Sequence, residues 1–129
     1  MRLTNYLNEG YTHYWEKQEF SDEQWTKILK GAKKIIKAAE AKKIKIMGSD
    51  GTGKPILSST EISFNGDTEK DKDYEPFEVS KKMTKGDFCK TDRKPYDKVA
   101  VSILALMKEV NPEFGVKSDG GPKAIKRVF

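Results

Sequence analysis

SDEQWTKILKGAKKIIKAAEA, residues 21–41, is the stretch whose reading decides the fold. Trp25, Ile28, Leu29, Ala32, Ile35, Ile36 and Ala39 recur at spacings of three and four, which gathers them on one face of a helix over about 22–41. Ser21-Asp22-Glu23-Gln24 supplies its start. A serine N-cap can accept from the third backbone N–H while the glutamine reaches back to the cap. A second helical period runs from Pro95 to about Val110, with Tyr96, Val99, Ala100, Ile103, Leu104, Met107 and Val110 as its buried stripe. Proline suits a first helical turn, where its missing N–H is not needed, and Asn111-Pro112 stops the helix.

Between and after the helices the pattern turns strand-like. Lys42–Met47 alternates polar and apolar, Gly48–Pro55 is dense in turn residues, and Ile56–Phe64 reads as a second strand, so the two predict a hairpin with a long loop. Asn65-Gly66 marks the next turn, 67–75 a polar loop, Pro76–Val79 a short third strand, 81–87 a polar connection and Phe114–Lys117 a last strand. The final seven residues read as a tail or docking segment. The whole predicts an α+β fold, a small, mostly antiparallel sheet packed with two amphipathic helices. The aromatic stretch 1–20 is set apart as an N-terminal segment, and 21–129 is one domain.

The longest apolar run, Val99–Met107, is too short to span a bilayer, so no membrane partner is expected. The first twenty residues lack the apolar core of a secretory signal. Cys89 is the only cysteine, which excludes an intrachain disulfide and fits a cytosolic setting. The formal net charge of +5 favours anionic partners.

Several motifs bear on chemistry. Phe88-Cys89-Lys90-Thr91-Asp92-Arg93-Lys94-Pro95-Tyr96-Asp97 sets Lys90, Arg93 and Lys94 at the mouth of the second helix, with Thr91 as a hydroxyl donor. Cations there oppose the helix dipole, and a bound phosphate would account for them. Pairing with Asp87, Asp92 and Asp97 is the structural alternative. Lys30, Lys34 and Lys37, with Lys27, form a basic stripe on the first helix, either a weak nucleic-acid contact or an ordinary solvated face. Aromatic residues are not interleaved with that stripe, so single-strand stacking is not suggested by it. Gly48-x4-Gly53-Lys54 imitates a phosphate-binding loop, but Pro55 stands where Ser or Thr should hold magnesium and no helix follows. Asp67, Glu69, Asp71 and Asp73, with Glu78, approximate calcium-loop spacing, yet Lys72 occupies the glycine position, and a solvated loop is the simpler reading. Asp67, Asp71 and Asp73 are therefore only weak metal candidates, and no cofactor is expected. His13, the single histidine, sits in an aromatic setting that suggests no Ser-His-Asp or Cys-His partner. Cys89 beside Lys90 could be activated, but burial after phenylalanine is the commoner fate.

Gly53-Lys54-Pro55, Phe64-Asn65-Gly66-Asp67, Glu75-Pro76-Phe77, the Phe88–Asp97 decapeptide and Ser118-Asp119-Gly120, together with the helix opening at Ser21–Trp25, resemble a family of small uncharacterised bacteriophage and prophage proteins. The chain departs from that pattern at Pro76, where threonine is expected, and lacks tryptophans after Ser118-Asp119-Gly120. Met1–Gly10 resembles the capsid-targeting peptides of T4-like phages, whose head-maturation protease cuts after Glu in a Leu-x-Glu pattern; Leu7-Asn8-Glu9-Gly10 fits it. The resemblance implies that residues 1–9 are an address label removed between Glu9 and Gly10, and that the mature protein lies in the virion interior or, after ejection, the host cytoplasm. The expected function is a non-enzymatic accessory protein that binds DNA or a nucleotide signal, or counters a host defence protein. Two alternatives stand beside it: a metal-dependent phosphoesterase or nuclease using the 67–73 carboxylates, and a protein inhibitor that docks on a host enzyme through the aromatic segment. The oligomeric state is left open.

Overall fold

The structure, a computed structural model, describes residues 11–129. The proposed processing site at Glu9 and Gly10 lies outside them. In chain order the elements are β1 Thr12–Trp15, β2 Gln18–Glu19, α1 Asp22–Ala41, β3 Ile56–Leu57, β4 Glu61–Phe64, β5 Phe77–Ser80, β6 Lys82–Met83, β7 Asp87–Lys90, α2 Asp97–Val110 and β8 Val116–Ser118, with 3-10 turns at Thr68–Lys70 and Pro122–Ala124. The strand pairings among the described residues are antiparallel: β7-β1-β8, β3-β4-β5 and the short pair β2-β6. The expected α+β class is what is found.

Helix α1 begins as its sequence requires. Gln24 N–H donates to Ser21 Oγ at 3.1 Å, and Ser21 N–H donates to Gln24 Oε1 at 3.0 Å. It ends on Lys43, whose φ of 68° is left-handed. Ile44 N–H then reaches Ala39 O and Lys43 N–H reaches Glu40 O, both at 3.0 Å, which closes the last turn in a Schellman arrangement.

That closure overturns the strand expected at Lys42–Met47. Its first two residues finish the helix, and only Met47 bridges antiparallel, to Asn65. Ile44 and Ile46 still turn inward, so the alternation reports burial rather than a ladder. The hairpin lies instead inside the 56–64 segment, where β3 pairs β4 across a turn in which Ser58 Oγ accepts from Thr60 and Glu61 N–H. Asn65 is buried and fully engaged. Its Nδ2 donates to Ser49 O and Tyr74 O, and its Oδ1 accepts from Gly66 and Tyr74 N–H. Gly66 has no room for a side chain, because a Cβ would collide with the Lys72 carbonyl.

The stretch 11–20, set apart in the sequence reading, belongs to the domain: β1 is the central strand between β7 and β8. Trp15 packs on Phe77, Phe77 on Phe64 and Phe64 on Tyr96, with ring centroids 5.4, 5.0 and 6.5 Å apart, so one aromatic run joins β1, the second sheet and α2. Helix α2 is buried all round from Val99 to Met107, more than a single stripe. Part of its cover is the C-terminal segment, whose Val128 N–H donates to Ser102 Oγ at 2.9 Å. No helix among the described residues is long and apolar enough to cross a membrane.

Candidate functional site

The site is built where β1, the turn after β7, the start of α2 and the turn after β8 meet. At its base lies His13, wholly enclosed. Its Nε2 donates to Asp97 Oδ1 at 2.5 Å, and its Nδ1 meets Ser118 Oγ at 2.9 Å. Thr91 Oγ1 donates to the same Asp97 oxygen at 2.5 Å. Asp119 completes the tie: its carboxylate accepts from Thr12 N–H and its own N–H donates to Thr12 O, both at 3.0 Å. A polar chain Thr91–Asp97–His13–Ser118 thus locks four separate segments together.

This corrects the reading that His13 has no Ser or Asp partner. The lone histidine gives no spacing signal, since its partners lie 84 and 105 positions away. The order Ser-His-Asp is that of a hydrolase triad, but the imidazole is sealed off and Ser118 Oγ already accepts from Gly120 N–H at 3.1 Å. A ring that cannot reach a leaving group cannot pass it a proton, so the chain acts as a clasp.

Above the clasp the backbone is strained. Asp92 and Arg93 both have positive φ, 52° and 58°, in a turn closed by Lys94 N–H to Thr91 O at 3.0 Å. Asp tolerates that conformation; Arg does not, and pays about 1–2 kcal/mol for it. The turn delivers the Arg93 guanidinium to the face of Tyr11, 4.3 Å from the ring centroid. Burial pushes the Tyr11 phenol up, Asp97 adds to the rise, and Arg93 opposes it. Gly120 must be bare here, because a Cβ would come within 2.9 Å of the Tyr11 hydroxyl.

Tyr11, Arg93, Asp97, Lys98, Lys123 and Lys126 line a groove of about 440 Å³ beside this turn. Four cations face one carboxylate, and that carboxylate is already held by His13 and Thr91. Among the described residues none of the four cations is in a salt bridge.

Of the cluster expected from the decapeptide, only Arg93 lines the groove. Lys94 turns away, donating to Asp71 O at 3.0 Å and lying 3.8 Å from its carboxylate. Lys90 sits over the Tyr74 ring, 5.7 Å from its centroid. Thr91 is buried in the clasp. Lys98, Lys123 and Lys126 were missed. The signal was weak, because 98 reads as one exposed helix position and 123–126 as tail. Lys30, Lys34 and Lys37 lie exposed on α1, away from the groove lining.

The weak metal candidates do not converge. Asp67 caps Glu69 N–H, Asp73 accepts from Thr68 Oγ1, and Asp71 faces Lys94. Among the described residues no three His, Cys, Asp or Glu side chains are grouped to hold a metal ion. Cys89 is buried and its thiol is pushed up to about 12, chiefly by burial, so it is no nucleophile. The glycine-rich 48–53 loop opens no helix and is pinned instead to the 3-10 turn by Thr68 N–H to Gly51 O.

Comparison with protein-family models, with curated proteins and with solved structures returns no match.

Proposed function

We propose that this chain is a non-enzymatic accessory protein of phage origin that binds a phosphate-bearing partner, DNA or a nucleotide, in the groove beside Arg93. The observation that carries the binding reading is the set of four cations, Arg93, Lys98, Lys123 and Lys126, that faces one already engaged carboxylate. Four like charges facing a single carboxylate are only partly offset and repel one another, and an anion relieves that repulsion. The groove borders the first turn of α2, whose dipole also favours an anion. Held by the clasp, its walls need little ordering when ligand arrives. Phage origin and packaging in the head rest on the motif resemblance. Binding is favoured over metal-dependent hydrolysis because the carboxylates that hydrolysis needs are spent on local contacts.

Thermal-shift measurements with tripolyphosphate, mononucleotides and DNA, with and without magnesium and at two salt concentrations, test this. The expected result is a magnesium-independent, salt-sensitive rise in Tm that is lost in Lys98→Ala/Lys123→Ala. Absence of any shift, or a shift that the double variant retains, overturns it.

A further inference from the structure

The sheet β7-β1-β8 has one face in the core and one turned outward. Alternation sends His13, Trp15 and Cys89 inward and Tyr14, Phe88 and Lys117 outward. Tyr14 is paired in register with Phe88 on one side and Lys117 on the other, so the outer face carries the row Phe88–Tyr14–Lys117. Phe88 and Tyr14 remain 56% and 42% exposed, with ring centroids 6.3 Å apart. Lys90, two residues beyond Phe88, falls on the same face and reaches over Tyr74, which is 41% exposed. Three of the five exposed large hydrophobic side chains among the described residues are therefore gathered on or beside one sheet face, flanked by lysines at both ends. Four acidic groups border this face: Asp119, which accepts from the Tyr14 hydroxyl at 3.4 Å; Glu16, which shares a groove of about 540 Å³ with Tyr14 and Lys117; Glu75, whose carboxylate is engaged by Lys90 N–H at 2.7 Å; and Asp87, which accepts from Phe88 N–H at 2.8 Å.

A cross-strand aromatic pair alone would stabilise the strands. It does not explain a third ring or the flanking lysines. Exposed rings on an open sheet between cations suit unpaired bases, whose π-faces stack on aromatics while lysines meet the phosphates. The groove lies just past the end of this face: β7 runs from Phe88 through Lys90 into the turn that holds Arg93. We infer that the outer face of this sheet is a stacking platform for unpaired bases, and that the phosphate-bearing partner is a single-stranded nucleic acid whose backbone continues into the Arg93 groove. This rests on the groove reading for the backbone and on Tyr14 and Phe88 for the bases.

Fluorescence anisotropy with labelled 12-mers separates the two parts. The probes are oligo(dT), oligo(rU), an abasic strand of the same length and a 12-base-pair duplex, with tripolyphosphate as competitor. Expected is tighter binding of oligo(dT) or oligo(rU) than of the abasic strand or duplex; the two homopolymers distinguish DNA from RNA. Tyr14→Ala and Phe88→Ala should each weaken the preferred strand about fivefold or more, leave abasic binding unchanged and stay folded with Tm lowered by no more than about 5 °C, the cost of the lost cross-strand pair, while Phe88→Tyr retains binding. Equal affinity for the abasic strand, preference for the duplex, or unchanged binding by both alanine variants overturns the platform. If tripolyphosphate still competes in that case, the groove reading survives alone; if it binds nowhere, both fall.

Discussion

His13 Nε2 lies 2.5 Å from Asp97 Oδ1, joining the second residue of β1 to the first residue of α2 across 84 positions of sequence. The ring is enclosed while Asp97 opens on one side to the groove, and the other ring nitrogen is taken by Ser118. His13→Leu should therefore cost roughly 2–4 kcal/mol, because it leaves a carboxylate and a hydroxyl without their partner. Ser118→Ala should cost about 1 kcal/mol. Urea unfolding of both singles and the double variant checks this. Strictly additive effects would show that His13 and Ser118 do not stabilise one another.

Arg93 reverses the usual ranking of alanine over glycine. Its φ of 58° is free for glycine and costly for any residue with a Cβ. Arg93→Gly should be about 1 kcal/mol more stable than Arg93→Ala, although both lose the ring contact with Tyr11. Thermal unfolding gives the order. Both variants should lose affinity for the phosphate ligand alike, which separates the strain from the charge.

Asn65 binds three loops through four hydrogen bonds in a buried position. Asn65→Ala strands Ser49 O and the Tyr74 N–H and C=O at once. A loss of roughly 2–4 kcal/mol is expected, read by denaturant titration. A change under about 0.5 kcal/mol, the scale of an ordinary surface substitution, would contradict the assignment.

Alkaline pH should weaken the fold. The Cys89 thiol is raised from 9.0 to about 12, mainly by burial, and burial likewise drives the Tyr96 phenol above its usual range. Both groups hold their protons more tightly folded than unfolded. The Cys89 contribution is complete below about pH 9 and is lost as pH climbs toward 12, whereas that of Tyr96 is complete up to about its ordinary value of 10.0 and fades only at higher pH. Cys89→Ala should flatten the decline of stability between about pH 9 and 12. At pH 8 the native thiol should react with a disulfide reagent only as fast as the protein opens.

Helices were legible because their signals are local. The capping box at Ser21–Gln24, the periodic stripe of α1 and the Asn111-Pro112 stop are each contained within a few residues. The strand expected at Lys42–Met47 was misread because inward-facing Ile44 and Ile46 imitate a ladder that needs a distant partner to exist. The site was only partly legible for the same reason. Arg93 announced itself within the decapeptide, whereas Lys123 and Lys126 join it only through the fold, and His13 finds its partners only across most of the chain. The central place of β1 also changes one experiment. Docking by the aromatic segment is tested by substitution at Tyr14 and not by truncation, which would remove the middle of a sheet.

That same strand sets an order of events during synthesis. β1 leaves the ribosome first, yet its neighbours β7 and β8 are made last, and Ser118 follows His13 by 105 residues. At about 5–20 residues per second, the first strand waits several seconds or more for both edges to be covered. Until then its tyrosine, histidine and tryptophan side chains face water on an unpaired strand. A nascent chain halted between Lys90 and Val116 leaves the β8 edge of that strand uncovered, an edge on which another chain can pair.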